Sequence, residues 1–297
     1  MVRPEFQVVA YHIEPIDEHQ LSIAVSPGDY KVATGDTQSF DFTIYMGPQD
    51  LELLKNLDGN IKPIMAFSGF GFLDFIEKFI YHMLLFIHKI IPNWGVCIIL
   101  VSLLIYGATY PLTLKSMLSM RKMQELQPKM AELREKYKNN PQKLNAEVVE
   151  LYKVNKINPL SGCLPMLLQM PVFIGLYQVL WRTYHFQGAS FLWIRDLSQP
   201  DKLFIFPANL PVIGNEFNLL PLLMMVVMFF QQRLSSQNMV VTDEAQAMQQ
   251  KMMKWFFPVF IGFIFYRFAS GLTLYFTVFY LLSTLTQYKM SKLNKTK

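Results

Sequence analysis

Between Ile157 and Arg182 the chain runs through NPLSGCLPMLLQMPVFIGLYQVLW without a charge. A helix rises about 1.5 Å per residue, so this stretch reaches about 36 Å, enough to cross a hydrocarbon core about 30 Å thick with some tilt. Within it lie Pro159, Pro165, Pro171, Gly162, Gly175 and, near mid-depth, Gln169. A side-chain amide has four hydrogen-bonding sites, and lipid satisfies none of them. Gln169 is therefore expected on a protein- or water-lined surface.

The chain as a whole is apolar too. Of 297 residues 52% are hydrophobic and 16% charged, whereas ordinary soluble domains carry about 25% charge. The chain reads as a membrane protein. Its net charge of +5 matters less than where the cations lie, and no specific nucleic-acid partner is expected. Cys97 and Cys163 sit inside apolar stretches, where cysteine behaves as a small buried hydrophobe.

Residues 6–45 alternate in period two, as in Leu21, Ile23 and Val25 and again in Phe40, Phe42 and Ile44, with turn signals at Pro27-Gly28-Asp29 and Thr34-Gly35-Asp36. That is a strand pattern. Residues 1–62 are too few to close a well-cored sheet, so they are expected to be the end of a larger β domain, outside the membrane, in a truncated chain. Over 70–91, Asp74, Glu77, Lys78, Tyr81, His82, His88 and Lys89 recur at helical spacing opposite Phe72, Phe75, Phe79, Met83 and Phe86. An amphipathic helix lying in the interface is predicted there. His82 and His88 are six apart, off the spacing of helical metal pairs, so no metal site is expected.

The core over 92–290 divides into five apolar windows, at about 94–114, 158–181, 211–232, 252–269 and 272–289. Residues 115–157 between the first two windows hold ten Lys/Arg and five Glu, split by Asn139-Asn140-Pro141. Leu126, Met130, Leu133 and Tyr137 before that break, and Leu144, Val148 and Leu151 after it, predict an antiparallel helical hairpin outside the membrane, with Pro128 as a kink or start point. The hairpin, residues 233–254 and the chain end from Lys289 onwards carry 10, 3 and 4 Lys/Arg, whereas residues 182–216 and the Arg267 turn carry 3 and 1. Seventeen against four places the hairpin and the basic tail of 291–297 in the cytosol.

Two windows carry polar stripes. Ser102, Tyr106, Thr109 and Thr113 in the first, and Thr273, Thr277, Tyr280, Thr284 and Gln287 in the last, are spaced by fours and threes. Each stripe lies on one helical face. Ser and Thr can also bond their own backbone, so ordinary helix packing is the alternative for either stripe alone. Together with Gln169 they predict a polar groove opening to the cytosol and inner leaflet. Met166, Met170, Met224, Met225 and Met228 suit either an adaptable wall or plain core filling.

From Phe217 onwards in the third window, and throughout the other four, no Asp, Glu or His occurs, which removes the usual proton relays and general bases. No HExxH, Walker loop or dinucleotide fingerprint occurs. An enzyme and a cofactor are therefore not expected. A surface that eases polar peptide groups into the bilayer fits best, with a solute carrier and a passive assembly platform as the alternatives.

Asn93-Trp94-Gly95, Tyr110-Pro111-Leu112-Thr113, Leu126-Gln127-Pro128-Lys129, Asn158-Pro159-Leu160 with Gly162-Cys163, and Gln169-Met170-Pro171 follow in order. Leu192-Trp193-Ile194 with Asp196-Leu197, Thr242-Asp243, and Ser270-Gly271-Leu272 with Leu274-Tyr275 come after them. This series over about 70–290 resembles the YidC insertases of bacteria, relatives of the mitochondrial Oxa and chloroplast Alb proteins. Tyr45-Met46-Gly47-Pro48 resembles the end of the periplasmic domain of Gram-negative members, and the family's first span is expected to be missing.

The resemblance implies a five-helix core around a water-filled inner-leaflet groove in the bacterial inner membrane, a cytosolic hairpin needed for insertion, and a basic tail that helps engage ribosomes. It also implies nascent membrane proteins, the Sec translocon and the lipid bilayer as partners. The family's groove arginine falls just before the Gly of Gly-x-x-Tyr-Pro-Leu, and that position here is Tyr106. No positive groove is carried over. The expected groove residues are Ser102, Tyr106, Thr109, Gln169, Met170, Phe173, Thr273, Tyr275, Phe276, Thr277 and Tyr280. Arg267, about twelve residues beyond Trp255, is expected to snorkel to the outer interface.

Overall fold

The computed structural model describes residues 10–15, 20–26, 32–35, 37, 69–158, 164–210, 214–236, 248 and 251–295. The chain divides into two units, Met1–Gly47 and Pro48–Lys297. In the first, β1 (Ala10–Pro15) pairs antiparallel with β2 (Leu21–Ser26), from Ala10 opposite Ser26 to Pro15 opposite Leu21. Leu21, Ile23 and Val25 fall in β2 as their alternation predicts. Phe40, Phe42, Ile44 and Tyr45-Met46-Gly47-Pro48 lie outside the described residues, as do Pro159–Cys163 and Thr242-Asp243.

In the second unit the first described element is α1 (Gly71–Ile90), which buries Ile80, Tyr81, Leu84 and Ile87 and leaves Phe72, Phe75, Phe79 and Phe86 exposed. The predicted polar stripe is split rather than solvent-facing. Asp74 and Lys78 pair at 2.7 Å near the surface, while Glu77 is fully buried. Next, α2 (Trp94–Glu125) is capped by Asn93, whose Oδ1 accepts the Val96 N–H at 3.1 Å. The apolar window ends at Leu114, but the helix continues for another eleven residues, because Lys115–Glu125 contains charged and straight-chain helix formers and no Gly or Pro.

α3 (Gln127–Lys136) carries Pro128 in its first turn, a start point and not a kink, and α4 (Pro141–Val154) is capped by Asn140. The two close an antiparallel hairpin: Tyr152 Oη donates to Met130 Sδ at 3.1 Å and Tyr137 Oη to Glu147 Oε1 at 3.3 Å. α5 (Leu164–Arg182) follows. The window expected as a helix over 211–232 behaves differently: β3 (Phe204–Leu210) pairs antiparallel with β4 (Gly214–Phe217), and α6 spans Leu219–Ser236. Pro207 removes a helical N–H and Gly214 takes a positive φ of 78°, so the chain before Asn218 favours a hairpin. A π-helical turn, Met252–Phe256, leads into α7 (Phe257–Phe265), and α8 spans Ser270–Lys295. The return expected at Ser270-Gly271 is made by residues 266–269, and Ser270-Gly271 open α8.

α8 packs against α6, α2 and α5, α1 against α5 and α2, and α7 against α6. Their shared core holds Ile98, Leu84, Leu176, Leu197, Met224, Met228, Leu272 and Tyr275, each at most 2% exposed. Close approach is built in at Gly175, where an added Cβ would lie 3.3 Å from both Ile76 and Ile80 of α1. Among the described residues α2 is the one helix that meets both the length and the hydropathy needed to cross a membrane; α6 and Met252–Phe265 are apolar but shorter.

Candidate functional site

The far end of the bundle, opposite the α3–α4 hairpin, is fixed by meetings between short sequence runs. Gly95 lies so close to Phe191 that an added Cβ would be 2.1 Å from the ring Cγ. Ser270 Oγ donates to the Asp196 carbonyl at 3.0 Å, and the Gly271 N–H donates to the Leu197 carbonyl at 2.9 Å. Trp193 Nε1 donates to Asp201 Oδ2 at 3.0 Å, and that same oxygen accepts the Leu219 and Leu220 N–H groups at 2.8 and 2.9 Å. A buried carboxylate thus caps α6, satisfying donors that a helix start leaves unpaired.

Within the bundle, α5, α8 and α2 are joined by a run of neutral polar and aromatic side chains. Gln169 Nε2 donates to Tyr275 Oη at 3.0 Å. The Tyr275 and Phe279 rings stack at 6.1 Å, and Phe279 meets Tyr106 edge to face at 5.4 Å. Tyr106 Oη then donates to Thr286 Oγ1 at 2.7 Å. Phe173 and Phe276, 5.5 Å apart, brace α5 against α8 beside it. Tyr280 stands 6.1 Å from Phe276 on the same side.

The predicted residues divide by exposure. Met170 is 48% exposed, and Gln169, Phe173, Thr109, Thr277 and Tyr280 are half-buried. Tyr275, Phe276 and Tyr106 are 0%, 6% and 7% exposed, and Ser102 and Thr273, at 0% and 1%, are likewise in closed helix packing and on no open surface. The Ser102 and Thr273 hydroxyls donate to the Ile98 and Ala269 carbonyls at 2.7 and 3.3 Å. Thr109, Thr113, Thr277 and Thr284 likewise bond carbonyls four residues back. The Ser and Thr hydroxyls of the stripes are satisfied within their own helices, and only Tyr106, Gln169 and Tyr275 among the predicted set use polar groups to link one helix to another.

Sequence reasoning missed Thr286, and with it Ser283 and Gln231, whose Nε2 donates to Ser283 Oγ at 2.9 Å. Ser283 and Thr286 lie three and six residues beyond Tyr280, a signal the stripe could have offered. Nothing in the set is charged, so the arrangement supplies hydrogen-bond donors and acceptors and no acid, base or counter-ion. Among the described residues no group of three His, Cys, Asp or Glu is placed to hold a metal.

Residues 86–297 match the profile of a family described as 60Kd inner membrane protein. A protein of Janthinobacterium sp. (strain Marseille), named membrane protein insertase YidC, is 40% identical over 264 residues, covering 88% of this chain and 44% of that relative. One of the same name from Chlorobaculum tepidum is 39% identical over 259 residues, covering 86% of this chain and 42% of the relative. A crystal structure of an active YidC insertase with its first transmembrane domain resolved aligns with a TM-score of 0.53 at 27% identity, over 77% of this chain and 49% of that one. The chain thus spans less than half the length of these relatives.

Proposed function

This chain belongs to the 60Kd inner membrane protein family, and on that premise we propose that it passes nascent transmembrane segments from the cytosol into the lipid bilayer without hydrolysing nucleotide. In this reading α2, α5, α6, α7 with its π-helical turn, and α8 cross the membrane. α1 lies in the outer interface on its phenylalanine face, and the α3–α4 hairpin and the basic tail are cytosolic, as the cation count supports. Nascent membrane proteins and lipid are the partners, the ribosome meets the tail, and the Sec translocon delivers part of the substrate. The residues of 1–62 belong to a periplasmic domain.

The observation that carries the proposal is the neutral run Gln169–Tyr275–Phe279–Tyr106–Thr286, next to exposed Leu167 and Met170. Each unpaired peptide group moved into hydrocarbon costs several kcal/mol, and amide and hydroxyl side chains along the path lower that barrier. The substrate's own apolar segment then leaves sideways into lipid, releasing about 0.8 kcal/mol per buried CH₂. The protein speeds a downhill transfer. Flexible, exposed Met170 and half-buried Phe173 accept side chains of many shapes.

The test is reconstitution in liposomes free of nucleotide with a single-span substrate. A protease-protected fragment that grows with protein level is expected. No protected fragment at any level overturns the proposal, and solute flux without insertion favours a carrier.

A further inference from the structure

At the far end of the bundle, between the end of α5, the 198–200 loop and the turn from α7 into α8, lies a pocket of about 490 Å³, within the range of pockets that take small organic groups. Among the described residues Arg267 is the single charged one on its wall, and no Asp or Glu lines it. Among the described residues Arg267 makes no hydrogen bond or ion pair, whereas nearby Lys202 is paired with Glu216 at 3.0 Å. An uncompensated guanidinium in a concave site is a standing counter-ion for an anion.

The other polar groups narrow the ligand. The Gln187 amide has no side-chain partner among the described residues, and Gln199 spends its Oε1 on Lys202 Nζ at 3.3 Å, leaving its NH₂ to donate. The Ser198 hydroxyl donates to Asp196 Oδ1 at 2.7 Å, so its oxygen is left as an acceptor. The remaining wall includes Tyr177, Phe268 and Trp181, the last 72% exposed. The amphipathic rings of Tyr177 and Trp181 are of the kind that settles at the headgroup level of a bilayer. Cation and amide donors for a phosphate, an acceptor for a hydroxyl, and aromatic walls for glycerol and acyl carbons therefore converge on one cavity.

We propose that this pocket holds the headgroup of an anionic phospholipid of the outer leaflet, its phosphate on Arg267 and a headgroup hydroxyl on Ser198. The placement in the outer leaflet rests on the membrane orientation given above; the binding chemistry does not. Such a lipid would tie α5 to the α7–α8 turn at the end of the bundle where the path for substrates closes.

The full chain in detergent micelles, offered phosphatidylglycerol or phosphatidylcholine and read by native mass spectrometry, tests this. Preferential retention of phosphatidylglycerol is expected. Arg267→Gln is expected to weaken that retention about tenfold, as befits one charge-assisted hydrogen bond, and Gln187→Ala about threefold. Arg267→Lys, which keeps the charge, should restore part of the loss while leaving phosphatidylcholine unaffected. Equal retention of phosphatidylglycerol by the parent and Arg267→Gln overturns the proposal. So does displacement of the lipid by millimolar inorganic phosphate with no preference between the two lipids, which assigns the pocket to a free anion. The assay contains no insertion substrate, so a failed insertion experiment leaves its outcome untouched, and the reverse holds too.

Discussion

Tyr106 and Thr286, 180 residues apart in the chain, share a hydrogen bond of 2.7 Å that ties α2 to α8 where the family resemblance places an arginine. Tyr106 is 7% exposed and its ring packs on Phe279, so size and neutrality are what the site holds most firmly. Tyr106→Phe should keep the ring packing and cost only the hydrogen bond, about 0.6 kcal/mol and at most about 1.7. Tyr106→Asp buries a carboxylate, at about 2.5–3.5 kcal/mol or more, and should depress insertion far more than Phe. A double-mutant cycle with Thr286→Val, read by unfolding in micelles, should return a coupling close to the Phe cost. Equal loss of insertion by Phe and Asp would instead mean that the hydroxyl itself is required.

Two glycines make a matched pair. A Cβ at Gly95 would meet Phe191 Cγ and Cβ at 2.1 and 2.5 Å, and a Cβ at Gly262 would meet Met225 Cγ at 2.2 Å. Phe191 is held on both sides by the bond between its N–H and the Ile194 carbonyl and the return bond, at 2.9 and 2.8 Å, so its ring has no cheap retreat. Met225 is an unbranched chain with three rotatable bonds and can swing aside. Gly95→Ala should therefore destabilise by about 1–3 kcal/mol, and Gly262→Ala by clearly less. Thermal unfolding in detergent reads both, and Phe191→Ala placed with Gly95→Ala should recover part of the loss. Equal effects of the two substitutions would contradict the packing at Phe191.

The helical faces of Ser102, Tyr106, Thr109 and Thr113, and of Thr273, Thr277, Tyr280 and Thr284, were legible in the sequence because a polar residue in an apolar helix marks its side. What each hydroxyl bonds was not, since a carbonyl four residues back and a partner helix satisfy it equally. The buried side of α1 was equally hidden. Phe79 and Ile80 are neighbours of like hydrophobicity, yet one is 59% exposed and the other 1%. Lipid and protein interior are chemically alike to such residues, so periodicity separates polar from apolar and not lipid-facing from protein-facing. The β3–β4 hairpin is not legible because residues 182–216 read as an aromatic, cation-poor loop between windows, and Leu210–Gly214 reads as a backward extension of the next apolar window.

Asp201 is a keystone that no motif announces. Its Oδ2 accepts three N–H groups, from Trp193, Leu219 and Leu220, and the residue is 2% exposed. Asp201→Ala would leave those donors without an acceptor in a buried site, at about 2–3 kcal/mol. Asp201→Asn keeps one carbonyl oxygen in place and should cost less than half as much. Unfolding in micelles gives the magnitudes, and tryptophan emission gives the mechanism, because loss of the Trp193 contact should shift its spectrum in the Ala variant more than in Asn. Indifference of both readouts to Asp201→Ala would remove Asp201 as the cap of α6.

α1 offers the sharpest check on membrane placement. Phe72, Phe75, Phe79 and Phe86 are 59–69% exposed on one side, while Ile80 and Leu84 on the other are sealed against α5 and α2. A helix crossing the bilayer would carry successive residues steadily deeper. A helix lying in the interface, with its apolar face about 5–10 Å into the headgroup boundary, holds them at one level. Spin labels placed one at a time at Phe72, Phe75, Phe79 and Phe86 in proteoliposomes should therefore report similar shallow depths by oxygen and nickel accessibility, with labels at His82 and Lys89 in water. A monotonic increase in depth from Phe72 to Phe86 would make α1 a span, and the count of membrane crossings and the side assigned to everything before Gly71 would both have to change with it.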